Sequence, residues 1–316
     1  MTSSAFLAIG LRILRAVFTL LLCVTLVFVV LRMAGDPAEQ LLPAETPPDV
    51  RETYRERWGL DQPLAVQYLR YIGNLAQGDL GVSFSSDQPV GALVAETLPR
   101  TLTLGLSALL LATVLGLTLG VTAAIRRGTG ADRGLMAIAV LGYSMPVFFL
   151  GILLILLFAL KLRVLPSSGS STLRHLILPT LTLALPLTGR VPRFARTATL
   201  EVLGRPFIRG ARAKGVGGLG VILRHALPNA TVPLLMFFGI EIGLTVSGAV
   251  VTETIFAWPG LGRLLVDSVS RRDLPVVQAV ILLVTLIIVL SNLLVDILHA
   301  VIDPKVSMVR ALGGGS

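Results

Sequence analysis

The sequence predicts an all-α membrane protein with six transmembrane helices and both termini in the cytoplasm. Three observations lead to this prediction. Hydrophobic residues make up 54% of the 316 residues and charged residues 14%. Soluble proteins carry roughly 25% charged residues. The chain therefore has too few charged side chains to cover the surface of a soluble protein of this size. Uncharged runs long enough to cross a bilayer recur along the chain. Basic residues collect in the segments that these crossings place on one side.

Six segments are candidate membrane crossings, because each is largely free of charge and a span needs about 20 largely apolar residues. The segments are 16–31, 101–125, 134–160, 175–189, 225–252 and 274–295. The fourth is the shortest, and we expect its helix to continue through the polar residues 190–203. The first resembles a signal peptide, but no convincing small-residue cleavage site follows Arg32, so we interpret it as an uncleaved anchor.

The distribution of charge sets the orientation. With the N-terminus inside, the inner segments hold fifteen basic and three acidic side chains, whereas the outer segments hold eleven basic and thirteen acidic ones. A basic excess in short inner loops is the pattern that the positive-inside rule describes. The net charge of +9 is therefore explained by topology, and we expect no nucleic-acid partner.

The crossings divide the chain into three parts. An N-terminal segment with the first helix (1–33) precedes an extracytoplasmic region with short helices (34–100), and a core of five spans (101–312) contains a cytoplasmic loop, 190–229. Residues 313–316 read Gly-Gly-Gly-Ser, and we interpret them as a linker. A single cysteine and three scattered histidines predict no disulfide, no metal site and no catalytic triad.

The cytoplasmic loop is rich in basic and small residues. A helix is expected to end near Gly215, and a glycine-rich turn and an amphipathic piece follow before Pro228. Small residues allow another surface to approach closely, and arginines make directional contacts. The loop lacks the Gly-x-x-x-x-Gly-Lys-Ser/Thr pattern of a phosphate-binding loop. We therefore predict no nucleotide site here, and any ATPase would be another polypeptide.

This loop resembles that of the permease subunits of binding-protein-dependent ABC importers, whose pattern is Glu-Ala-Ala, three residues, Gly, nine residues, Ile, one residue, Leu-Pro. Nine residues separate Gly215 from His225, and Leu227 and Pro228 follow at the family spacing. The sequence departs from the pattern at 209–211, which reads Arg-Gly-Ala, and at His225, which replaces the Ile. Six further stretches resemble the first permease of dipeptide, oligopeptide and nickel importers: 35–37, 59–64, 78–81, 144–146, 256–262 and 303–305.

The resemblance implies a type I ABC importer permease fold in the bacterial inner membrane. It implies a non-catalytic subunit that forms half of a translocation path for peptides or similar small solutes. The implied partners are a second permease in a heterodimer, two cytoplasmic ATPase subunits that bind ATP and Mg²⁺, and an extracytoplasmic substrate-binding protein; this chain would bind no cofactor. Coupling to the ATPases would run through residues 205–228, and the candidate contacts are Arg209, Gly210, Ala211, Arg212, Ala213, Lys214, Gly215, His225, Leu227 and Pro228.

Polar residues within the spans are candidates for lining the path. They are Ser144, Glu241, Asn292 and Asp296. A charge at mid-membrane costs about 2.5–3.5 kcal/mol on insertion scales. Glu241 therefore lines the translocation path, pairs with a neighbouring helix, or is a protonated carboxyl with no further role. Asn292, Asp296 and His299 share one helix face, which favours interhelical hydrogen bonding.

Aromatic, proline and glycine residues give further expectations. Phe256 and Trp258 are candidates for an outer gate, or alternatively for interfacial anchors. Prolines at 146, 179 and 186 should kink their spans. Gly116 and Gly120 form a Gly-x-x-x-Gly pair that allows close helix packing, although an ordinary small-residue helix explains them equally well.

The substrate and the class of transporter leave alternatives. Nickel or other metal chelates, glutathione and opines are alternatives to peptides within the same family. A stand-alone channel or secondary transporter would need its own ion-coupling residues, for which only Glu241 and Asp296 are available, and the halves show no inverted repeat. A membrane-embedded enzyme is a third class, but no nucleophile–base pair supports it.

Overall fold

The computed structural model describes residues 3–33, 35, 38–39, 42 and 45–302. Within these residues it is helical, and the only strand-like pairing is one isolated bridge between Val82 and Pro89. Most of stretches 35–37 and 303–305, together with the linker 313–316, lies outside the described residues.

The described part of the chain folds into twelve helices. They are α1 (Ser3–Met33), α2 (Pro48–Arg57), α3 (Leu64–Ala76), α4 (Val90–Ile125), α5 (Gly130–Ser144), α6 (Val147–Leu154), α7 (Leu173–Leu203), α8 (Pro206–Ala213), α9 (Gly218–Val221), α10 (Leu227–Ile255), α11 (Leu261–Ser270) and α12 (Leu274–Ile302). Two π-helical segments extend this set: Ile155–Lys161 prolongs α6, and Ile222–Ala226 joins α9 to α10.

Among the described residues, three helical segments are long and apolar enough to cross a membrane. They are Gly10–Met33, Val90–Ile125 and Leu274–Val295, and α5 with α6 adds a fourth if the bent pair crosses once. Helices α7 and α10 have 31 and 29 residues, so they are about 46 and 44 Å long at 1.5 Å per residue. Both therefore exceed the roughly 30 Å hydrocarbon core of a bilayer.

The third predicted segment, 134–160, is not one continuous helix. Helices α5 and α6 meet at an angle of 97°. The break lies at Pro146, which has no N–H to donate and keeps Met145 extended at φ −88° and ψ 129°. The kink expected at Pro146 is confirmed. It is a sharp bend between two helices, whereas the charge pattern alone predicted one uninterrupted segment.

Helix α7 extends to Leu203, as the sequence predicted, although Pro179, Pro186 and Pro192 lie within it. It occupies the centre of the bundle and packs against α4, α5 and α10. A Cβ at Gly116 would overlap the Val191 side chain, and one at Gly120 would lie 2.5 Å from the Pro192 carbonyl oxygen. The close helix contact that the Gly-x-x-x-Gly pair allows is therefore present.

At one end of the bundle, α11 and α12 pack against α4. Val90 of α4, Leu261 of α11 and Val280 of α12 share one buried cluster. Helix α1 packs along α12, and much of its apolar surface is exposed, including Leu14 and Phe18. Such a surface suits lipid, because apolar side chains are unfavourable in water but not against lipid tails.

Candidate functional site

The basic segment, defined as residues 205–228, begins with the short helix α8, most of which is exposed. Within α8 only Ile208 is buried, and it anchors the helix. Arg209, Gly210 and Arg212 are exposed, and Ala211 is half-buried. The candidate coupling residues of α8 thus share an accessible face that carries positive charge.

The turn after α8 follows the sequence prediction. Helix α8 ends at Ala213, and Gly215 takes a left-handed conformation at φ +80°, which costs glycine little. The Gly215 N–H donates to the Arg212 carbonyl at 2.9 Å, and the Lys214 N–H donates to the Gly210 carbonyl at 3.1 Å. The chain therefore turns after α8 without backbone strain, because the residue in the left-handed conformation is a glycine.

The end of the basic segment is continuous with the bundle. The π-helical segment that contains His225 leads directly into α10, with Pro228 in its first turn. The His225 carbonyl accepts a hydrogen bond from Asn229 Nδ2 at 2.7 Å. A displacement of this part of the segment would therefore act on α10.

Glu241 pairs with an arginine of the central helix. Its Oε1 lies 3.1 Å from Nη1 of Arg190, and the two side chains are 2% and 33% exposed respectively. Of the three alternatives for this carboxylate, pairing with a neighbouring helix is thus present in the structure. No local sequence pattern indicates the partner, because in the sequence Arg190 is one of many basic residues of the inner segments.

Arg190 also lies close to the bend between α5 and α6. Its guanidinium carbon is 6.0 Å from the centre of the Tyr143 ring, within reach of a cation–π contact. A Cβ at Gly189 would overlap Tyr143, so the backbones approach closely here. Ser144, a path candidate, is exposed at the same bend and donates to the Val140 carbonyl at 2.8 Å.

A second ion pair joins α5 to α7, closer to the C-terminal end of α7. Arg196 donates from Nε and Nη2 to the two carboxylate oxygens of Asp132, each at 2.8 Å. Asp132 Oδ2 also accepts from the Gly128 N–H at 2.9 Å. This two-point geometry is the strong form of an arginine–carboxylate contact, and it holds the first turn of α5 in place.

The other path candidates lie on α12. Asn292 is exposed. The side chains of Asp296 and His299 lie outside the described part of the structure. Their proposed roles stay predictions.

The structure places Phe256 and Trp258 inside the molecule. They are 1% and 5% exposed, and Trp258 Nε1 donates to the Arg100 carbonyl at 3.1 Å. Next to them the Glu253 carboxylate is fully buried and accepts hydrogen bonds from Thr101 Oγ1 at 2.6 Å and the Gly262 N–H at 2.6 Å. This buried network was not predicted, because its members are far apart in sequence.

The segment before α4 is attached to the start of α12. The Asp273 carboxylate accepts hydrogen bonds from the hydroxyls of Ser83 and Ser85 and from the Phe84 N–H. Beside this contact lies a cavity of about 350 Å³ whose wall includes Tyr71. Burial raises the pKa of Tyr71 to about 12, so the phenol is neutral at physiological pH.

Comparisons with known proteins agree on one family. Residues 116–308 match the model for the binding-protein-dependent transport system inner membrane component, and residues 6–105 match the model for the N-terminal part of such membrane components. The glutathione transport system permease protein GsiC of Escherichia coli strain K12 is 43% identical over 296 residues, which are 93% of this chain and 97% of the relative. GsiC of Salmonella paratyphi A is 42% identical over the same coverage.

A solved structure shares the fold. A chain of the MetNI methionine ABC transporter in an inward facing conformation is similar with a TM-score of 0.53, and the match covers 65% of this chain and 96% of that chain. Its sequence identity is 21%, so the likeness is evidence about the fold alone.

Proposed function

We infer the function of this chain from one premise: it belongs to the binding-protein-dependent transport system inner membrane components and is a permease subunit of an ABC importer. The observation that carries the premise is the 43% identity with a curated permease over 93% of the chain. The chain is a component of the inner membrane with several apolar helices. Because its relatives are permease subunits, we propose that it is the non-catalytic part of the importer.

We propose that the chain crosses the membrane six times with both termini inside. The crossings would be α1, α4, the bent pair of α5 and α6, α7, α10 and α12. The lengths of α7 and α10 support this arrangement, as does the basic excess on one side. With a second permease subunit in a heterodimer, the chain would form half of the translocation path.

The proposed coupling site is the basic segment. Two separate ATPase subunits would bind ATP and Mg²⁺ and would contact the exposed face of α8, while this chain binds no cofactor. Closure of the ATPases would displace α8, and the continuous π segment would pass the displacement to α10. Packed helices respond to shifts of this kind by switching between discrete arrangements.

The proposed substrates are short peptides delivered by an extracytoplasmic binding protein, with glutathione as the first to test. The support is the glutathione transport named for the relatives that match over nearly their whole length. Metal chelates and opines stay as alternatives within the same family.

The coupling proposal is tested by Gly210→Trp. Gly210 is exposed and a Cβ there meets nothing within 4 Å, so the backbone accepts a side chain at this position and the indole adds bulk to the exposed face of α8. We expect ATP-driven glutathione uptake in proteoliposomes containing the whole importer to fall at least about tenfold, equivalent to 1.4 kcal/mol of lost interaction.

Gly130→Trp is the matched control, because Gly130 is also exposed with open space around its Cβ but lies outside the basic segment. It should leave uptake near the wild-type rate. Wild-type uptake by the Gly210→Trp importer would show that α8 does not couple transport to the ATPases.

A further inference from the structure

We propose that Arg190 is a binding site for a carboxylate of the transported solute and that Glu241 positions it from behind. The inference rests on the proposed function, because it assigns a place where the solute contacts this chain. It also assigns a chemical class to that solute: a peptide or related molecule that carries at least one free carboxylate.

The position of the two charges is the first support. Arg190 lies about 26 Å from the start of α7 and about 20 Å from its end, and Glu241 lies about 21 Å from either end of α10. Glu241 therefore lies in the middle of the predicted crossing 225–252, whereas Arg190 follows directly after the predicted crossing 175–189. An ionisable residue in the middle of a crossing usually faces a bundle interior or a water-filled cavity, and the ion pair places Arg190 beside it.

The uneven burial of the pair is the second support. The Glu241 side chain is 2% exposed, whereas that of Arg190 is 33% exposed. The carboxylate is thus enclosed, and part of the guanidinium faces outward from the bundle. A guanidinium beside a crossing is unfavourable against lipid, so we place the exposed part of Arg190 on the translocation path.

The bend between α5 and α6 brings exposed side chains close to this guanidinium. Tyr143, whose ring lies 6.0 Å from the guanidinium carbon, is 55% exposed. Ser144 follows it and is also exposed. These groups give Arg190 an amphipathic surrounding on its open side, where a small polar solute can approach.

The hydrogen bonding of the pair is the third support. Nη1 of Arg190 and Oε1 of Glu241 lie 3.1 Å apart. Arg190 Nε and Glu241 Oε2 are buried and have no hydrogen-bond partner among the described residues. A guanidinium carries five N–H donors in a planar fork. The exposed part of the Arg190 guanidinium therefore has donor capacity left for a second carboxylate.

The pair between Arg196 and Asp132 shows what a structural pair on the same helix looks like. Arg196 lies six residues further along α7 and uses two nitrogens on two oxygens, each at 2.8 Å. The one-point contact of Arg190 satisfies its partner less completely. The difference favours a guanidinium that Glu241 orients and that still has N–H donors for a ligand.

The test uses proteoliposomes that contain this chain, the second permease and the ATPases, with binding protein loaded to equal occupancy with labelled glutathione or its dimethyl ester. The main variant is the double substitution Arg190→Gln with Glu241→Gln, which removes both charges and leaves no unpaired buried ion. We expect the ratio of glutathione uptake to ester uptake to fall at least about tenfold, equivalent to 1.4 kcal/mol. Arg190→Lys, which keeps the charge but loses the fork, should lower this ratio at least about threefold.

Arg193→Gln is the matched control, because Arg193 lies on the same helix and is exposed; its uptake ratio should equal that of the wild type. An unchanged ratio in the double variant, or in Arg190→Lys if the double variant does not assemble, would make the pair structural only and overturn the inference. If the wild type takes up neither probe in an ATP-dependent manner, the proposed function fails, and this inference fails with it.

Discussion

At the scale of single residues, Thr101 connects three helices through one hydroxyl group. Its Oγ1 donates to Glu253 Oε1 at 2.6 Å and accepts from the Leu261 N–H at 2.7 Å. The Glu253 carboxylate accepts from the N–H of Gly262 and of Arg263 as well. The first turn of α11 thus has its free N–H groups satisfied by side chains of α4 and α10, as helix N-termini require.

Thr101→Val should destabilise the protein by about 1–3 kcal/mol, because the isosteric change leaves a buried acceptor and a buried donor unsatisfied. Thermal unfolding of the purified protein in detergent measures the effect. Thr103→Val is the control: Thr103 is exposed on the same helix and bonds only to the Pro99 carbonyl, so its effect should stay within about 0.5 kcal/mol. Equal effects of the two substitutions would show that the network does not contribute to stability.

At the scale of helices, the contact between α4 and α7 depends on two positions without side chains. Gly116 and Gly120 lie one turn apart and face Val191, Pro192 and Ala195 of α7. Between membrane helices, packing at close distance supplies much of the association energy, because lipid is as apolar as the side chains. The glycines therefore set the distance at which the central helix lies.

Gly120→Leu should cost about 1–3 kcal/mol of stability, since the larger side chain forces the two backbones apart. The matched control is Gly91→Leu, because Gly91 is exposed at the start of the same helix with open space around its Cβ. The control should change stability by no more than about 0.5 kcal/mol. Thermal unfolding in detergent gives both values, and a Gly120→Leu protein as stable as the control would contradict the packing argument.

At the scale of the whole molecule, the bent pair of α5 and α6 decides the topology. If the pair crosses once, an odd number of crossings separates Gln77 from Gly210. If it turns back at the 97° bend, the two residues lie on the same side. Helix α10 then separates Gly210 from Arg271 in either arrangement.

Cysteine labelling distinguishes the two topologies. In a Cys23→Ser background, single cysteines at the exposed positions Gln77, Gly210 and Arg271 are treated with a membrane-impermeant thiol reagent. We expect positions 77 and 271 to react in intact cells and position 210 only after the membrane is opened. Reaction of 77 and 210 from the same side would contradict a single crossing by the bent pair.

The sequence predicted those features that depend on local chemistry. Charge-free runs and polar flanks predicted the extent of α7, and the missing N–H of Pro146 predicted the break between α5 and α6. Glycine at 215 predicted the turn after α8. Each of these outcomes depends on residues within one or two helical turns, where periodicity and steric preference are readable.

Contacts between distant segments could not be predicted in this way. The partner of Glu241 lies 51 residues earlier in the chain at Arg190, and nothing in either local pattern indicates the other. Trp258 is buried, with its indole bonded to the Arg100 carbonyl, although an aromatic residue after a span is typical of an interfacial anchor. Such pairings follow from the packing of whole helices.

The attachment of Asp273 has a mechanical consequence. Its carboxylate accepts four bonds from residues 83–85, two from hydroxyls and two from backbone amides, and it stands one residue before α12. These hydrogen bonds therefore hold the turn at residues 83–85 and the start of α12 together. A force applied to that turn would therefore be transmitted directly to α12, and from α12 to the helices packed along it, α1 and α10.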